Sequence, residues 1–444
     1  MEKSDFIPYL AVWAILVALV IWQTWRNAGS GLVLSYCFQL FLLHWLGAMI
    51  HAFPWSDLPQ TELTFLGFQQ STHAILAFAV GSLLLAPWLA KRLESRQQGS
   101  VSASPKLART YIIFGAISYF ILAPTIGRLS GFNAVAAVGS QLVVVGCCLR
   151  CWNAWNTGGF KHLIWAIAPA LVIPVVTLVI QGFLSYGIIA LSTIMIFSAQ
   201  FFRPRWVLLV AGLAAGYLGL SGYAAYMRDR VELRASVWGG ESFSDRIAKS
   251  RETLETAEWF DPGNPDHLGF VDGRLNQNML VGAAVSYLGN TGNFAYGSTL
   301  KEALMAMIPR IIWPNKPYAG SGGLVARFTG MEFAEGTSVG VGPVLELYGN
   351  CGSAGVWIGF LVLGCTLTFI DVMAGVHLRR GEWYEFVPWF LVGIALLNVS
   401  GSFVECTAGA AAGVVLATIV NKVLRATEHH NQDQEMTLVS QASS

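Results

Sequence analysis

The string Ile308-Pro309-Arg310-Ile311-Ile312-Trp313-Pro314-Asn315-Lys316-Pro317 sets two cations, Arg310 and Lys316, among three prolines. Proline fixes φ, so the run stiffens the chain and holds both charges in a defined turn, and Trp313 is of a type that anchors at the lipid headgroup level. Fixed cations at a membrane surface suit phosphate, because a guanidinium fork binds two oxygens and an ammonium adds a point charge. The competing reading is that a proline turn with a snorkelling Arg and Lys simply ends an interfacial helix. A second basic group, Arg228, Arg230 and Arg234, follows an apolar block. It either pairs locally with Asp229 and Glu232 or makes a further contact to phosphate or anionic lipid. Arg274 and Arg327 complete the candidate cations.

Chemistry that activates a hydroxyl benefits from a general base, and a carboxylate at a partly buried site can serve. Glu346, in Val344-Leu345-Glu346-Leu347-Tyr348 just ahead of an apolar block, is the best placed; Glu335 and Asp272 follow. The alternative for Glu346 is an ion pair with an arginine of the same segment. Glu405 opens the last apolar block, where it can face the same cavity. His44 and His51 lie two turns apart in the second apolar block and His73 opens the third; packing or helix–helix hydrogen bonds account for them. Cys148 and Cys151 have CxxC spacing without a second Cys or His pair, so helix packing is expected and no metal site. Gly320-Ser321-Gly322-Gly323 lacks the preceding strand that a phosphate-cradling loop requires. No cofactor is indicated.

The elements that must position these residues follow from hydropathy. The chain is 54% hydrophobic and 12% charged, with 27 basic against 26 acidic residues, which excludes an ordinary soluble protein and gives no electrostatic case for nucleic acid. Its apolar residues recur in blocks of about 17 to 22, the length a helix needs to cross hydrocarbon. The fold class expected is an all-α polytopic integral membrane protein with about eleven transmembrane helices: 6–25, 32–51, 71–90, 110–127, 132–149, 162–180, 183–202, 206–226, 353–373, 386–401 and 404–424. Gln181-Gly182 is the tightest break, so the sixth and seventh segments also fit one distorted or re-entrant element. The expected organisation is helices one to eight in 1–226, a large extracytoplasmic loop with interfacial helices in 227–352, helices nine to eleven in 353–426, and a disordered cytoplasmic tail in 427–444. Basic residues set the orientation: with the N-terminus periplasmic, Arg26, Lys91, Arg92, Arg96, Lys106, Arg109, Arg150, Lys161, Arg203, Arg205, Arg379, Arg380, Lys422 and Arg425 fall on inner loops, and the short outer segments hold only Lys3 and Arg128. The C-terminus is then cytoplasmic, in a bacterial inner membrane.

The motifs from Gly273-Arg274-Leu275-Asn276 through Ile308-Pro309-Arg310 and Trp313-Pro314-Asn315-Lys316-Pro317 to Glu346-Leu347-Tyr348-Gly349-Asn350 resemble bacterial oligosaccharide repeat-unit polymerases of the Wzy type. The plan of many helices with one large outer loop late in the chain is similar too. The motif resemblance spans roughly residues 270 to 360; elsewhere only topology and hydropathy match. It implies a GT-C-like membrane glycosyltransferase without a metal, which joins undecaprenyl-pyrophosphate-linked repeat units into a surface or extracellular polysaccharide and releases the carrier. The partners implied are the lipid-linked glycans, membrane lipid, a chain-length regulator and a flippase. Catalysis would fall to Glu346, Arg310 and Glu335, and substrate binding to Arg274, Lys316, Arg327, Arg228, Arg230 and Trp313. The chain departs from the pattern before its last helix, where Ser400-Gly401-Ser402 stands in place of a basic residue. An O-antigen ligase-type transferase and a polysaccharide transporter or flippase are the alternatives.

Overall fold

The computed structural model describes residues 2–26, 29–93, 105–125, 133–201, 205–308, 312–313, 321–333 and 339–442. Among them every regular element is a helix. In chain order they are α1 (Lys3–Arg26), α2 (Leu32–Ala52), α3 (Thr61–Arg92), α4 (Pro105–Thr125), α5 (Ala134–Gln181), α6 (Ser185–Ala199), α7 (Arg205–Trp238), α8 (Phe243–Glu255), α9 (Pro265–Leu275), α10 (Asn278–Thr291), α11 (Ser298–Ala306), α12 (Ser321–Thr329), α13 (Gly342–Arg380), α14 (Trp383–Leu396) and α15 (Phe403–Ala442). Seven of them are long and apolar enough to cross a membrane: α1 to α5, α13, and the Phe403–Ala426 part of α15. The chain is therefore an all-helical membrane protein, as a backbone in lipid must be if it is to satisfy its own hydrogen bonds.

The expected segments 132–149 and 162–180 lie in one helical run, α5, whose direction changes at Gly159 (φ 63°, ψ −144°). Past Gln181, Gly182 takes the left-handed conformation (φ 73°) and ends α5. The chain then folds back as α6, and a Cβ at Gly187 would collide with Pro174 and Thr177, so the two helices pack closely as a pair rather than merging. Segment 206–226 opens α7, which continues through Arg228 to Trp238. The polar tail expected to be disordered keeps helical backbone to Ala442. It lacks Gly and Pro after Gly413, so nothing in its sequence stops the helix.

The long segment 227–352 is not an appendage. Val281, Ala284 and Leu288 of α10 and Val325 and Phe328 of α12 share one apolar core with Trp13, Phe68, Phe78, Phe360 and Phe390 of the long helices. Helix α10 crosses α3 at backbone contact: a Cβ at Gly67 would strike the carbonyl of Asn278, and one at Gly282 the carbonyl of Leu63. Only glycine permits that approach, which seats the start of α10 in the mouth of the bundle. At the other end of the bundle Asp371 of α13 caps α2 from outside. Its Oδ1 accepts from the Ser30 amide at 2.8 Å, the Ser30 hydroxyl at 2.8 Å and the Leu32 amide at 2.9 Å.

Candidate functional site

The site is built around α9, a short helix started by Pro265 at its first position and by the Asn264 side chain, which accepts from the Asp266 amide at 2.9 Å. Its apolar residues Leu268 and Val271 are buried with Leu46 and Ile50 of α2, Ala224 of α7 and Phe260. The helix is thus wedged between α2 and α7, and its polar side chains reach both.

Toward α7, Arg274 joins Arg230 and Arg234, which stand one turn apart on that helix. Burial first, and then the like charges of Arg230 and Arg234, pull the Arg274 guanidinium below its ordinary pKa, while Tyr223 and Tyr226 act in the opposite sense. Burial also lowers Arg234, with Arg230 adding repulsion. Arg234 lies over the rings of Phe183, 4.3 Å away, and Trp238, 5.6 Å away. Its Nε donates to Gly182 O at 3.5 Å, beside the Tyr226 hydroxyl, which donates to the same carbonyl at 3.2 Å. The hairpin turn between α5 and α6 therefore supports the trio from behind. Their like charges oppose one another, and the planar guanidinium forks match the oxygens of phosphate.

Toward α2, Asp272 Oδ1 lies 2.8 Å from His51 Nε2 and accepts from Asn276 Nδ2 at 2.7 Å. The Asn276 amide also donates to Thr64 Oγ1 at 3.1 Å. His51 Nδ1 is 2.9 Å from Thr61 Oγ1. Beyond α9 the chain locks into a π-helical turn of α2, Phe41–Trp45, whose wider winding frees backbone carbonyls. The Gln277 amide donates to Leu43 O at 2.9 Å, Asn278 Nδ2 donates to His44 O at 2.6 Å, and His44 Nδ1 meets Asn278 Oδ1 at 2.8 Å. The two histidines of α2 thus hold the 272–278 segment. Their seven-residue spacing already placed them on one helix face, but nothing in the sequence named Asp272 and Asn278 as their partners.

Arg228 does not join the trio. Its fork is taken by Asp229, with Nε–Oδ1 at 2.7 Å and Nη2–Oδ2 at 2.9 Å, and its Nη1 donates to Thr256 O at 2.9 Å. This is the local pairing with Asp229 that the sequence offers as one reading. Arg327 is exposed at the end of α12, its guanidinium 5.5 Å from the Phe328 ring. Trp313 is half-buried in irregular backbone. Arg310, Lys316 and Glu335 lie outside the described residues.

Glu346 is fully buried, and its Oε2 accepts the Phe403 amide at 2.8 Å, so it caps the start of α15. A carboxylate at a helix N-terminus is favourably placed there. The rest of the motif is structural in the same way. Asn350 Nδ2 donates to Thr299 Oγ1 at 2.7 Å, its Oδ1 accepts the Gly297 amide at 2.9 Å, and the Gly349 carbonyl accepts the Ala295 amide at 2.8 Å, which fixes the entry to α11. Glu405 is exposed at the first turn of α15, and its Oε2 accepts from Asn398 Nδ2 at 3.5 Å. Cys147, Cys148 and Cys151 are buried thiols. Among the described residues no group of His, Cys, Asp and Glu side chains is arranged to hold a metal ion.

A family model described as "Domain of unknown function (DUF8712)" matches residues 73–378, more than half of the chain. The chain belongs to the DUF8712 family. The arginine trio, Asp272 and Glu346 fall inside the matched segment, whereas His44, His51 and Phe403 lie outside it. No curated protein and no solved structure matches the chain.

Proposed function

We propose that this DUF8712 protein is a GT-C-like membrane glycosyltransferase, a Wzy-type polymerase that transfers a glycan from a polyprenyl pyrophosphate carrier to the next lipid-linked repeat unit. The observation that supports the reading is the grouping of Arg230, Arg234 and Arg274 where two helices of the long segment meet, with Arg234 and Arg274 lowered first by burial and further by their like-charged neighbours. A leaving pyrophosphate is an anion that suits such a group, and its charge rises as the glycosidic bond breaks. Preorganised cations at such a position contribute most in the transition state. In this reading the chain spans a bacterial inner membrane about eleven times, with α6, the first part of α7 and α14 among its spans, a periplasmic N-terminus and a cytoplasmic C-terminus. The trio then opens to the periplasm. That face has no nucleotide sugars, so a donor must arrive bound to lipid. A flippase would supply the substrate and a chain-length regulator would act on the product.

The test is the purified protein in lipid nanodiscs with lipid-linked repeat unit as sole substrate. A ladder of polymer with release of polyprenyl pyrophosphate supports the reading. Transfer of a whole glycan to a different lipid acceptor, without a ladder, would instead make it a ligase, and movement of substrate across the bilayer without bond formation would make it a transporter.

A further inference from the structure

We infer that a cavity at the end of the bundle where α1 and α13 finish takes the phosphate of an anionic membrane lipid. It lies where the start of α2 meets α5, α6 and α13, and its lining includes Ser30, Trp152, Phe197, Gln200, Phe201 and Arg379. The cations around it give its depth. Arg26 at the end of α1 lies over the Trp22 ring at 4.8 Å, Arg92 at the end of α3 over Trp88 at 4.2 Å, and Arg425 of α15 over Tyr384 at 4.8 Å. Trp and Tyr collect at the lipid headgroup level, and arginines near helix ends reach out to it. The last turns of α13 belong to the same end: Leu89 of α3 is buried with Val372 and Val376, and Asp371 accepts from Ser30. The cavity therefore sits at headgroup depth.

Arg379 differs from the other three arginines. They are exposed, whereas Arg379 is half-buried and lines the cavity. Side chains of a helix lean toward its N-terminus, so a residue one short of the end of α13 reaches back between the helices. The walls are of two kinds. Trp152, Phe197 and Phe201 form an aromatic group, with the Phe201 ring 5.6 Å from each of the other two, and this part suits hydrocarbon. Arg379 and Gln200 supply donors. A guanidinium has five N–H groups in a fork that meets two phosphate oxygens at once, enough to hold a phosphate besides its contacts within the chain. The Gln200 side-chain amide gives one N–H to Ile196 O at 3.2 Å and has a second. Asp371, bonded to Ser30, commits its Oδ1 to the cap of α2. Donors beside an aromatic wall at headgroup depth match an acylated phosphate, which offers an apolar and an anionic part, rather than a free ion, which offers one. A headgroup without an amine brings no cation to compete with Arg379, and Arg26 and Arg92 draw anionic lipid to the same level. The site requires only that the chain be a membrane protein, so its fate is separate from that of the transfer reaction.

The experiment uses the full chain in detergent with lipid titrated in and bound lipid counted by native mass spectrometry. Wild type should hold phosphatidylglycerol about fivefold or more tighter than phosphatidylcholine. Arg379→Gln should weaken phosphatidylglycerol binding roughly 10- to 100-fold, as for loss of a charge-assisted contact. Arg92→Gln, which removes an exposed cation at the same level, should weaken it by no more than about fivefold. Gln200→Leu, a milder change in the same cavity should Arg379→Gln fail to fold, is expected to weaken it about 3- to 10-fold. Inorganic phosphate should not displace the lipid. The inference is overturned if Arg379→Gln and Arg92→Gln weaken binding equally, since surface charge alone then holds the lipid, if Gln200→Leu leaves binding unchanged, or if phosphatidylcholine binds wild type as tightly as phosphatidylglycerol. Binding of inorganic phosphate that depends on Arg379, with no retained phosphatidylglycerol, would make the cavity a site for the free ion and overturn it too.

Discussion

His51 Nε2 and Asp272 Oδ1 stand 2.8 Å apart although 221 positions separate them in the chain. The contact ties the long segment to a helix that crosses the membrane, so the arginine-bearing helix α9 is located by the bundle itself. Loops that carry function are positioned by rigid scaffolds, and here the scaffold reaches the loop through two buried histidines, His51 at Asp272 and His44 at Asn278. The trio of Arg230, Arg234 and Arg274 is consequently prearranged, without waiting for a ligand to draw it together.

A first consequence concerns stability. Arg274 is depressed by burial and by its arginine neighbours, and a cation whose folded pKa lies below its unfolded value destabilises the fold wherever it is charged. Arginine remains charged across the accessible pH range, so substitution is the way to detect this. Arg274→Gln should unfold at the same or a higher temperature than wild type in detergent, while its activity falls roughly 100- to 1,000-fold as expected for loss of one oxyanion-stabilising donor. Inorganic pyrophosphate should raise the unfolding temperature of wild type, less so for Arg274→Gln, and the effect should shrink with added salt. A variant that loses stability along with activity would contradict the repulsive cluster.

Arg228 gives the opposite expectation. Asp229 is held below the ordinary carboxylate pKa first by its hydrogen bond from Arg228, so the pair contributes stability above the unfolded pKa of Asp229 and loses it as pH falls through the lower folded value. Both side chains are partly exposed, so the contribution is small at neutral pH. Arg228→Gln should leave polymerisation within about threefold of wild type, because the guanidinium it removes is already committed to Asp229 and Thr256. Comparing initial rates of the two proteins is sufficient to check it.

Glu346 separates two roles cleanly. As a cap it needs only an acceptor for the Phe403 amide at 2.8 Å, so Glu346→Gln should fold and retain most of its activity, whereas Glu346→Ala should lose about 1–2 kcal/mol of stability. Had it been a general base, glutamine would abolish turnover as surely as alanine. Steady-state rates and thermal unfolding of both variants decide between the two.

Much of this architecture was legible in the amino acids, for a physical reason. Lipid requires helices and a minimum length, so apolar blocks such as Phe6 to Trp25 declare themselves. The count was harder, because Gly159 turns a helix without a loop. Within the basic group spacing is informative: Arg230 and Arg234 are four apart and share a helix face, while Arg228 is two from Arg230 and points away. What spacing could not supply is the third arginine, since Arg274 reaches them only by the wedging of α9 between α2 and α7. The partner of Glu346 lies beyond the reach of spacing for a similar reason. The glutamate's place before an apolar block looks like a mouth, but the amide of Phe403, far along the chain, closes over it.

Gly282 tests whether the seating of α10 is as tight as its backbone contact implies. A methyl group there meets the carbonyl of Leu63, an atom that cannot rotate away. Gly282→Ala must therefore push α10 off α3, and overpacking of this kind costs about 1–3 kcal/mol. Because Asn278 begins the same helix and bonds to His44, the displacement passes directly to the 272–278 segment, and activity should fall further than stability alone explains. Gly289, on the same helix with open space at its Cβ position, is the control: Gly289→Ala should leave both unfolding temperature and rate close to wild type. Equal losses from the two variants would mean that α10 is not held against α3 in the way that its glycines require.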